Sequence, residues 1–318
     1  MNSRERMIQT LLFAPVDRIA HFESMFELEN EAFGLTFPPQ EQWVSYAPQE
    51  KERMLDHTMD IYDRIIHTFN WDALAVFNPW EDSAAVAAAV RRFGRDIFVG
   101  GMCGHSVLSI ESIDDWERFS INLYENPETI HMEAKAMCER AFSLINAYAE
   151  AGADFVFIPN DIAFNAGPFI NPDLMDEFIF PYLKKQVDLA KSRGLKVFLH
   201  TDGQIMPILE RIISMEADCL QSIDPMAGMD IAEVKKITQG KLALMGNVQC
   251  SLLQDGPDAE IQKSAEYCLK KASIGGGYIF STSNTIFPGM PLQNYRCMLD
   301  VLESFNQHYT FKENENDR

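Results

Sequence analysis

From about residue 70 onward, the chain alternates short runs of β-branched and aromatic residues with longer amphipathic stretches. This alternation is typical of repeated βα units and predicts a parallel sheet. Eight strands are predicted, the number that a closed barrel needs: Arg18–Phe26, Ala73–Phe77, Asp96–Gly100, Asp154–Ile158, Lys196–His200, Asp218–Ile223, Lys241–Met245 and Tyr278–Ser281. We therefore predict an α/β protein with a single (β/α)8 TIM barrel over residues 1–318.

The helices predicted between the strands exceed those of a minimal barrel. Extra N-terminal helices precede the second strand, and a helical insertion, Asp114–Tyr124 followed by Pro127–Ala151, precedes the fourth. One helix is predicted over Pro172–Arg193, because Asn171 is a suitable N-cap and the following proline suits the first helical position.

Charge and composition restrict the partners. The formal net charge is -20, so a nucleic-acid partner is excluded because the phosphate backbone would be repelled, and an anionic membrane surface is disfavoured for the same reason. An apolar run of about 18 residues, as a membrane span needs, is missing from the sequence. The six cysteines form no C-x-x-C pair and predict reduced thiols. We expect a cytoplasmic protein that works with a small molecule or a protein partner, with a homodimer left open.

The segment Val197–Gly203 carries the strongest functional signal. An apolar strand ends in His200, and Asp202 and a glycine follow. Polar side chains at the carboxyl end of a barrel strand point into the mouth, where active sites lie, so these two residues are predicted to be catalytic. The alternative is a core histidine whose ring is satisfied by a backbone carbonyl.

A metal site is predicted where the strand ends meet. Asp161 follows the fourth strand and, with His200 and Asp202, offers the imidazole and carboxylate ligands that zinc accepts. Glu81 is predicted as a fourth ligand, and Glu23 and Glu27 are further carboxylate candidates. The alternatives are an Asx turn or helix cap for Asp161 and a hydrogen bond to the adjoining loop for Asp202.

Other strand ends offer residues that could contact a substrate. Asn247, like Asp161, is predicted to be catalytic, and Asn284 is predicted to bind substrate. Four aromatic residues are predicted to form an apolar wall for an aromatic ligand: Trp80, Phe164, Phe169 and Phe287. The alternative is that these aromatic side chains belong to the core.

Several motifs in chain order resemble the uroporphyrinogen decarboxylase superfamily, whose fold is a (β/α)8 barrel. They span most of the sequence: Pro15-Val16-Asp17-Arg18-Ile19, Gly167-Pro168-Phe169-Ile170-Asn171-Pro172, His200-Thr201-Asp202-Gly203, Gly228-Met229-Asp230 with Lys235, Met245-Gly246-Asn247, Gly276-Gly277-Tyr278-Ile279 and Ile286-Phe287-Pro288-Gly289-Met290-Pro291. The resemblance implies one of two activities, decarboxylation of a porphyrinogen or zinc-dependent methyl transfer to a corrinoid protein.

The sequence departs from both branches at positions that matter. The arginine-rich Arg-Gln-Ala-Gly-Arg loop of the decarboxylases is replaced by the acidic segment 21–27, and Asn284 stands at the position of the decarboxylase histidine. Arginines would clamp the substrate carboxylates, which an acidic loop would repel. In the thiol-methylating branch zinc is held by His-x-Cys and a distant Cys, whereas here Asp202 stands at the first cysteine position and Ser283 lies near the second.

These departures favour the methyltransferase branch that resembles corrinoid O-demethylases. Zinc held by imidazole and carboxylates is a harder Lewis acid than thiolate-bound zinc and suits an ether oxygen. The predicted reaction moves a methyl group from a small methoxy compound, an aryl methyl ether being favoured, to a corrinoid protein. The sequence has no Asp-x-His-x-x-Gly pattern, so the corrinoid is expected on a partner. The alternatives are a decarboxylase for another carboxylated substrate and a non-catalytic barrel that binds a corrinoid or tetrapyrrole.

Overall fold

The predicted barrel is confirmed by a computed structural model, which describes residues 1–312. Eight parallel strands form one sheet in the order β1-β10-β9-β8-β7-β4-β3-β2, and β5 and β6 form a separate antiparallel hairpin. The strands are β1 Ala20–His21, β2 Ala73–Val76, β3 Phe98–Met102, β4 Phe155–Pro159, β5 Ala163–Phe164, β6 Gly167–Pro168, β7 Lys196–Thr201, β8 Cys219–Ser222, β9 Ala243–Val248 and β10 Tyr278–Thr282. The third and seventh barrel strands, β3 and β9, begin two residues later than predicted.

The helices lie between the strands: α1 Ser3–Leu11, α2 Glu29–Phe33, α3 Pro48–Phe69, α4 Ser83–Phe93, α5 Trp116–Glu125, α6 Pro127–Glu150, α7 Pro172–Phe178, α8 Phe180–Ser192, α9 Leu209–Ser214, α10 Ile231–Thr238, α11 Cys250–Asp255, α12 Asp258–Ala272 and α13 Leu292–Asn306. The expected insertion before the fourth barrel strand is the pair α5 and α6. Within residues 1–312, no helix has both the length and the apolar composition that crossing a bilayer requires.

The single helix predicted over Pro172–Arg193 is wrong, because the chain forms two helices that meet at Ile179. Pro181 explains the break, since its ring removes one backbone donor and would clash with the preceding helical turn. The predicted cap is confirmed, because the side-chain oxygen of Asn171 accepts a hydrogen bond from the backbone N–H of Asp173 at 2.9 Å.

Aromatic side chains fill the barrel interior. The Phe22 ring at the end of β1 lies 5.9 Å from that of Phe198 on β7 and 6.1 Å from that of Phe155 on β4, measured between centroids. Strand β1 is not a neighbour of β4 or β7 in the sheet, so these contacts cross the interior. Phe198 and His200 are two residues apart on β7, so both side chains point to the same, inner face. The aromatic interior therefore ends in an imidazole at the mouth.

Three aspartates at the opposite end of the barrel join neighbouring strands. Each directly precedes a strand, and its carboxylate accepts a hydrogen bond from a backbone N–H of the strand before it in the chain. Asp154 accepts from Val99 at 3.0 Å, and Asp218 accepts from Val197 at 2.9 Å. Each carboxylate is also paired with a basic side chain, Arg4 for Asp154 and Lys196 for Asp218.

The third aspartate, Asp72, closes the barrel between the first and last strands of the sheet order, β1 and β2. Its backbone N–H donates to the His21 carbonyl at 2.7 Å, and its carboxylate accepts from the His21 N–H at 2.9 Å. Arg6 and Arg18 both donate to this carboxylate, which is fully buried. A carboxylate in this position supplies the contacts that further ladder hydrogen bonds would supply in a regular strand pair.

Replacing Asp72 by asparagine is expected to lower the free energy of unfolding by about 3–5 kcal/mol, because it removes the fully buried counter-charge shared by Arg6 and Arg18, of which Arg6 keeps a second partner in Asp17. The matched control is Asp60→Asn, which breaks the exposed ion pair with Arg92 and should cost less than about 1 kcal/mol. Urea unfolding followed by circular dichroism measures both variants. Equal losses would show that Asp72 does not close the barrel.

Candidate functional site

Three of the predicted site residues meet at the carboxyl ends of β4 and β7. Asp161 follows β4, His200 lies in β7 and Asp202 follows β7. One potential ligand atom from each lies within 4.8 Å of the other two, and this is the only such histidine, cysteine and carboxylate group within residues 1–312. The strand register explains why these residues lie together. Pro159 on β4 pairs with His200 on β7, so the segments that follow the two strands leave the sheet side by side.

Gln221 on β8 fixes the orientation of the His200 ring. It pairs with His200 in the strand register, is fully buried, and its Oε1 contacts the ring Nδ1. The amide group of Gln221 donates through Nε2 to the Asn284 carbonyl at 3.4 Å, so Oε1 faces the ring. In the neutral ring this contact assigns the proton to Nδ1 and leaves the lone pair on Nε2, as a metal-ligating imidazole requires. The structure does not support the alternative in which a backbone carbonyl satisfies the His200 ring, because the partner of Nδ1 is the Gln221 side chain.

The Asp202 carboxylate is held by two hydrogen bonds. Ser222 on β8 donates to Oδ1 at 2.5 Å, and the side-chain amide of Asn284 donates to Oδ2. Asn284 was predicted to bind substrate, but in the structure its side chain is engaged with this carboxylate. Each oxygen retains a lone pair, because a carboxylate has about four acceptor sites.

Asp161 completes the group from the other side. One oxygen lies 3.5 Å from His200 Nε2 and also accepts the backbone N–H of Asp202 at 2.8 Å. The His200 side chain is 13% exposed and that of Asp161 28%, so the group is part-buried but reachable from solvent. A free imidazole nitrogen and two carboxylates fit a divalent cation such as zinc, which is commonly held by three protein ligands with a position open for substrate.

Three other acidic residues predicted as ligands lie apart from this group. Glu81 forms an ion pair with Arg140, whose guanidinium also donates to the carbonyl of His105. Glu23 turns instead toward β10, where Ser281 donates to its carboxyl group at 2.6 Å. Glu27 is not part of the metal-binding group within the described residues. The prediction of Glu81 as a metal ligand is therefore wrong.

Asn247 is also misplaced by the sequence prediction. It lies inside β9 rather than beyond its end, and its side chain is buried. Its amide donates to the Ile223 carbonyl, and its oxygen lies 3.7 Å from the thiol sulfur of Cys268 on α12. The side chain thus faces the helical layer and is hydrogen-bonded to none of Asp161, His200 and Asp202, so the structure does not bring Asn247 into this group.

The four predicted aromatic residues lie in two different environments. Phe164 on β5 and Phe169 both contact Trp116, with centroids 5.9 and 6.1 Å apart. Trp80 and Phe287 are instead partly buried against the core. Phe164 and Trp116 are 46% and 40% exposed, so they present an aromatic surface beside the strand ends.

The β5–β6 hairpin that carries Phe164 is fixed to the loop after Asp202. Gln204 donates its backbone N–H to the Phe164 carbonyl at 2.9 Å. Gly203 has a φ of +89°, and a Cβ at this position would lie 2.3 Å from the Ala163 carbonyl oxygen. Only glycine fits this approach, which keeps the aromatic surface next to the metal-binding group.

Comparison with known proteins identifies the family. The sequence profile described as uroporphyrinogen decarboxylase (URO-D) matches residues 82–305. The chain belongs to the uroporphyrinogen decarboxylase family. A uroporphyrinogen decarboxylase of Coxiella burnetii is 25% identical over 190 residues, which cover 58% of this chain and 50% of that protein. The chain therefore matches about half the length of this curated relative of the URO-D family.

Methyltransferases are also among the relatives of this URO-D family member. The methylcobamide:CoM methyltransferase MtaA of Methanosarcina barkeri is 26% identical over 228 residues, covering 70% of this chain and 62% of that protein. A solved methyltransferase from Methanosarcina mazei superposes with a TM-score of 0.76 at 16% identity, covering 96% of this chain and 99% of that one. At this identity the superposition establishes the shared fold.

Replacing Gly203 by alanine is expected to displace the β5–β6 hairpin. The matched control is Gly194→Ala, whose φ of +82° imposes a similar backbone strain but which has no atom within 4 Å of the added Cβ. We expect Gly203→Ala to lose about 2 kcal/mol more stability in urea unfolding, because overpacking typically costs about 1–3 kcal/mol. The tryptophan emission, to which Trp116 contributes, should change only in Gly203→Ala, and identical behaviour of the two variants would refute the role of this contact.

Proposed function

We propose that this protein is a methyltransferase that moves a methyl group from a small methoxy compound, an aryl methyl ether in the favoured case, to a corrinoid protein. The observation that carries the proposal is the group Asp161, His200 and Asp202, with the imidazole Nε2 left free by the hydrogen bond to Gln221. The methyltransferases among the relatives support it, and MtaA carries methylcobamide in its name.

The three side chains would hold zinc. When bound there, zinc would act as a Lewis acid toward the ether oxygen and favour its departure as a phenolate. In the proposed reaction the ether C–O bond would break with its electron pair remaining on the oxygen, and the partner's corrinoid would supply the cobalt(I) whose electron pair bonds the methyl carbon. No thiol takes part in this transfer, which agrees with the replacement of thiolate ligands by carboxylates in the zinc-binding group.

The remaining groups position the reactants. Gln221 and Asn284 hold the imidazole and one carboxylate, which limits the geometries that the metal-bound substrate can take. Phe164 and Trp116 offer faces on which an aryl ring can pack. Holding the methyl group in line between oxygen and cobalt is a positioning effect that can supply much of the rate enhancement.

The alternative of decarboxylation is supported by the decarboxylases among the relatives. Its substrate would carry carboxylates, and the site offers two carboxylates of its own within 4.8 Å of the imidazole. Without a bound cation these carboxylates would repel a polycarboxylate, and the segment 21–27 that replaces the arginine-rich loop supplies no arginine to bind one, so we favour the ether.

Purified protein is expected to hold about one zinc ion per chain, because the site supplies one three-ligand set. His200→Ala should weaken zinc binding by about 10-fold or more, since it removes the only imidazole of the set. His105→Ala is the matched control, because His105 is an exposed loop histidine outside the group. A chromophoric chelator measures the affinities, and equal zinc retention by both variants would refute the site.

Methyl transfer can be tested with cob(I)alamin as a surrogate acceptor and methoxybenzenes as donors, under anaerobic conditions. We expect zinc-dependent formation of methylcobalamin and a phenol. Phe164→Ala should raise KM for the ether by about 3- to 10-fold through the loss of an aromatic contact. Tyr267→Ala removes a similarly exposed aromatic residue on α12 and should leave KM unchanged. Carbon dioxide release from a porphyrinogen without methyl transfer would instead establish the decarboxylase.

A further inference from the structure

Glu23 is a fully buried carboxyl group that the proposed methyl transfer does not use. It lies after β1 and faces the end of β10, where all its hydrogen-bond partners are found. Its Oε2 lies 2.6 Å from the Ser281 hydroxyl, 3.0 Å from the Thr282 backbone N–H and 3.0 Å from the Thr282 hydroxyl. A buried acid without a paired cation requires either a proton or a specific task.

The Thr282 hydroxyl has one proton and two acceptors at equal distance. One acceptor is the Glu23 carboxyl group and the other is the backbone carbonyl oxygen of Asn284, each at 3.0 Å. An ionised Glu23 would accept the hydroxyl proton, whereas a neutral carboxylic acid can donate its own proton to the Thr282 oxygen, and the hydroxyl proton is then directed to Asn284. The charge on Glu23 therefore decides whether Thr282 holds Asn284.

Burial favours the neutral form of Glu23. Burial raises its pKa to about 8, and the hydrogen bonds from Ser281 and Thr282 offset this only in part. The titratable groups that face it are Cys250, Tyr278 and Tyr295, and burial raises the pKa of each of them. They are uncharged at neutral pH, so they provide no counter-charge that would ionise Glu23.

Asn284 links this carboxyl group to the metal-binding residues. Its side-chain amide donates to Asp202, and its carbonyl accepts from Gln221, whose other end contacts the His200 ring. Asn284 thus contacts the carboxylate ligand directly and the imidazole ligand through Gln221. Its carbonyl also accepts from Ser24 at 3.4 Å, a longer bond than the one from Thr282.

We propose that Glu23 and Thr282 are positioning residues for the metal ligands: neutral Glu23 directs the Thr282 hydroxyl to Asn284, which in turn holds Asp202 and the Gln221–His200 pair. This inference rests on the proposed zinc site. A buried acid that is not itself a metal ligand thereby controls the geometry of the metal ligands.

The test compares two neighbouring hydroxyl groups. Thr282→Val removes the hydroxyl that reaches Asn284, and Ser281→Ala removes a buried hydroxyl that contacts Glu23 but not Asn284. Thr282→Val is expected to weaken zinc binding by about 10-fold, the loss typical when the partner of a metal ligand is removed. Ser281→Ala should stay within about twofold of wild type, and Thr282→Ser should restore the affinity.

Two further readouts separate positioning from general damage. The visible absorption of the Co²⁺-loaded protein reports ligand geometry and should shift in Thr282→Val but not in Ser281→Ala. Glu23→Gln preserves a neutral donor and acceptor and should bind zinc within about threefold of wild type at pH 7, whereas Glu23→Ala should lose about 10-fold.

The outcomes distinguish the two proposals. Wild type that binds neither zinc nor Co²⁺ overturns the zinc site and this inference together. Wild type that binds both, with equal effects of Thr282→Val and Ser281→Ala, leaves the zinc site standing and overturns this inference alone. Loss of affinity in Glu23→Gln equal to that in Glu23→Ala shows that a neutral group is insufficient and also overturns it.

Discussion

The buried Asp72 carboxylate is the interaction on which the rest of the structure depends. Strands β1 and β2 stand at opposite ends of the sheet order, and Asp72 joins them through hydrogen bonds in both directions with His21. Arg6 and Arg18 supply the counter-charge that a buried carboxylate needs. Closure at this seam curves the sheet into a barrel, and only in a barrel do the ends of β4, β7, β8 and β10 converge at one mouth.

The division of labour between the two ends of the barrel follows from this closure. Aspartates at the amino ends of the strands accept backbone hydrogen bonds and form ion pairs, so their carboxylates stabilise the fold. Carboxylates at the opposite end contact serine, asparagine and histidine instead, which leaves acceptor capacity free. In a (β/α)8 barrel the amino end is where residues serve stability and the carboxyl end is where they serve chemistry. Here aspartate serves both purposes, and the partners of each aspartate decide whether it stabilises the fold or remains available for chemistry.

The sequence was sufficient to predict the strands and the central trio, because both depend on local pattern. A buried strand that stops at His200 and a carboxylate two residues later define where the side chains point. The errors come from longer-range effects. Asn247 was predicted at a strand end, but β9 continues past it and turns its side chain toward α12. Glu81 was predicted as a ligand, but Arg140, from a distant helix, pairs with it.

Two residues that complete the site were missed for a related reason. Gln221 lies inside a strand rather than at its end, and Trp116 begins a helix of the insertion. A buried amide in the short strand Cys219–Ser222 is a detectable signal, because such a group must find partners. No comparable signal marks Trp116, since its contact with Phe164 depends on how the insertion packs against the hairpin.

The ligand set itself argues for the chemistry of the site. Thiolates donate charge to zinc and favour soft partners such as sulfur, whereas carboxylates and imidazole leave it a harder Lewis acid. Asp202 gains rigidity from Ser222 and Asn284, and His200 from Gln221, so the donors need little reorganisation when a cation arrives. Rigid oxygen donors suit an oxygen leaving group, whose negative charge grows as the C–O bond breaks. A thiol substrate would gain less from this arrangement, because sulfur carries that charge without help. The proposed ether chemistry therefore depends on imidazole and carboxylate donors that the neighbouring strands hold in place.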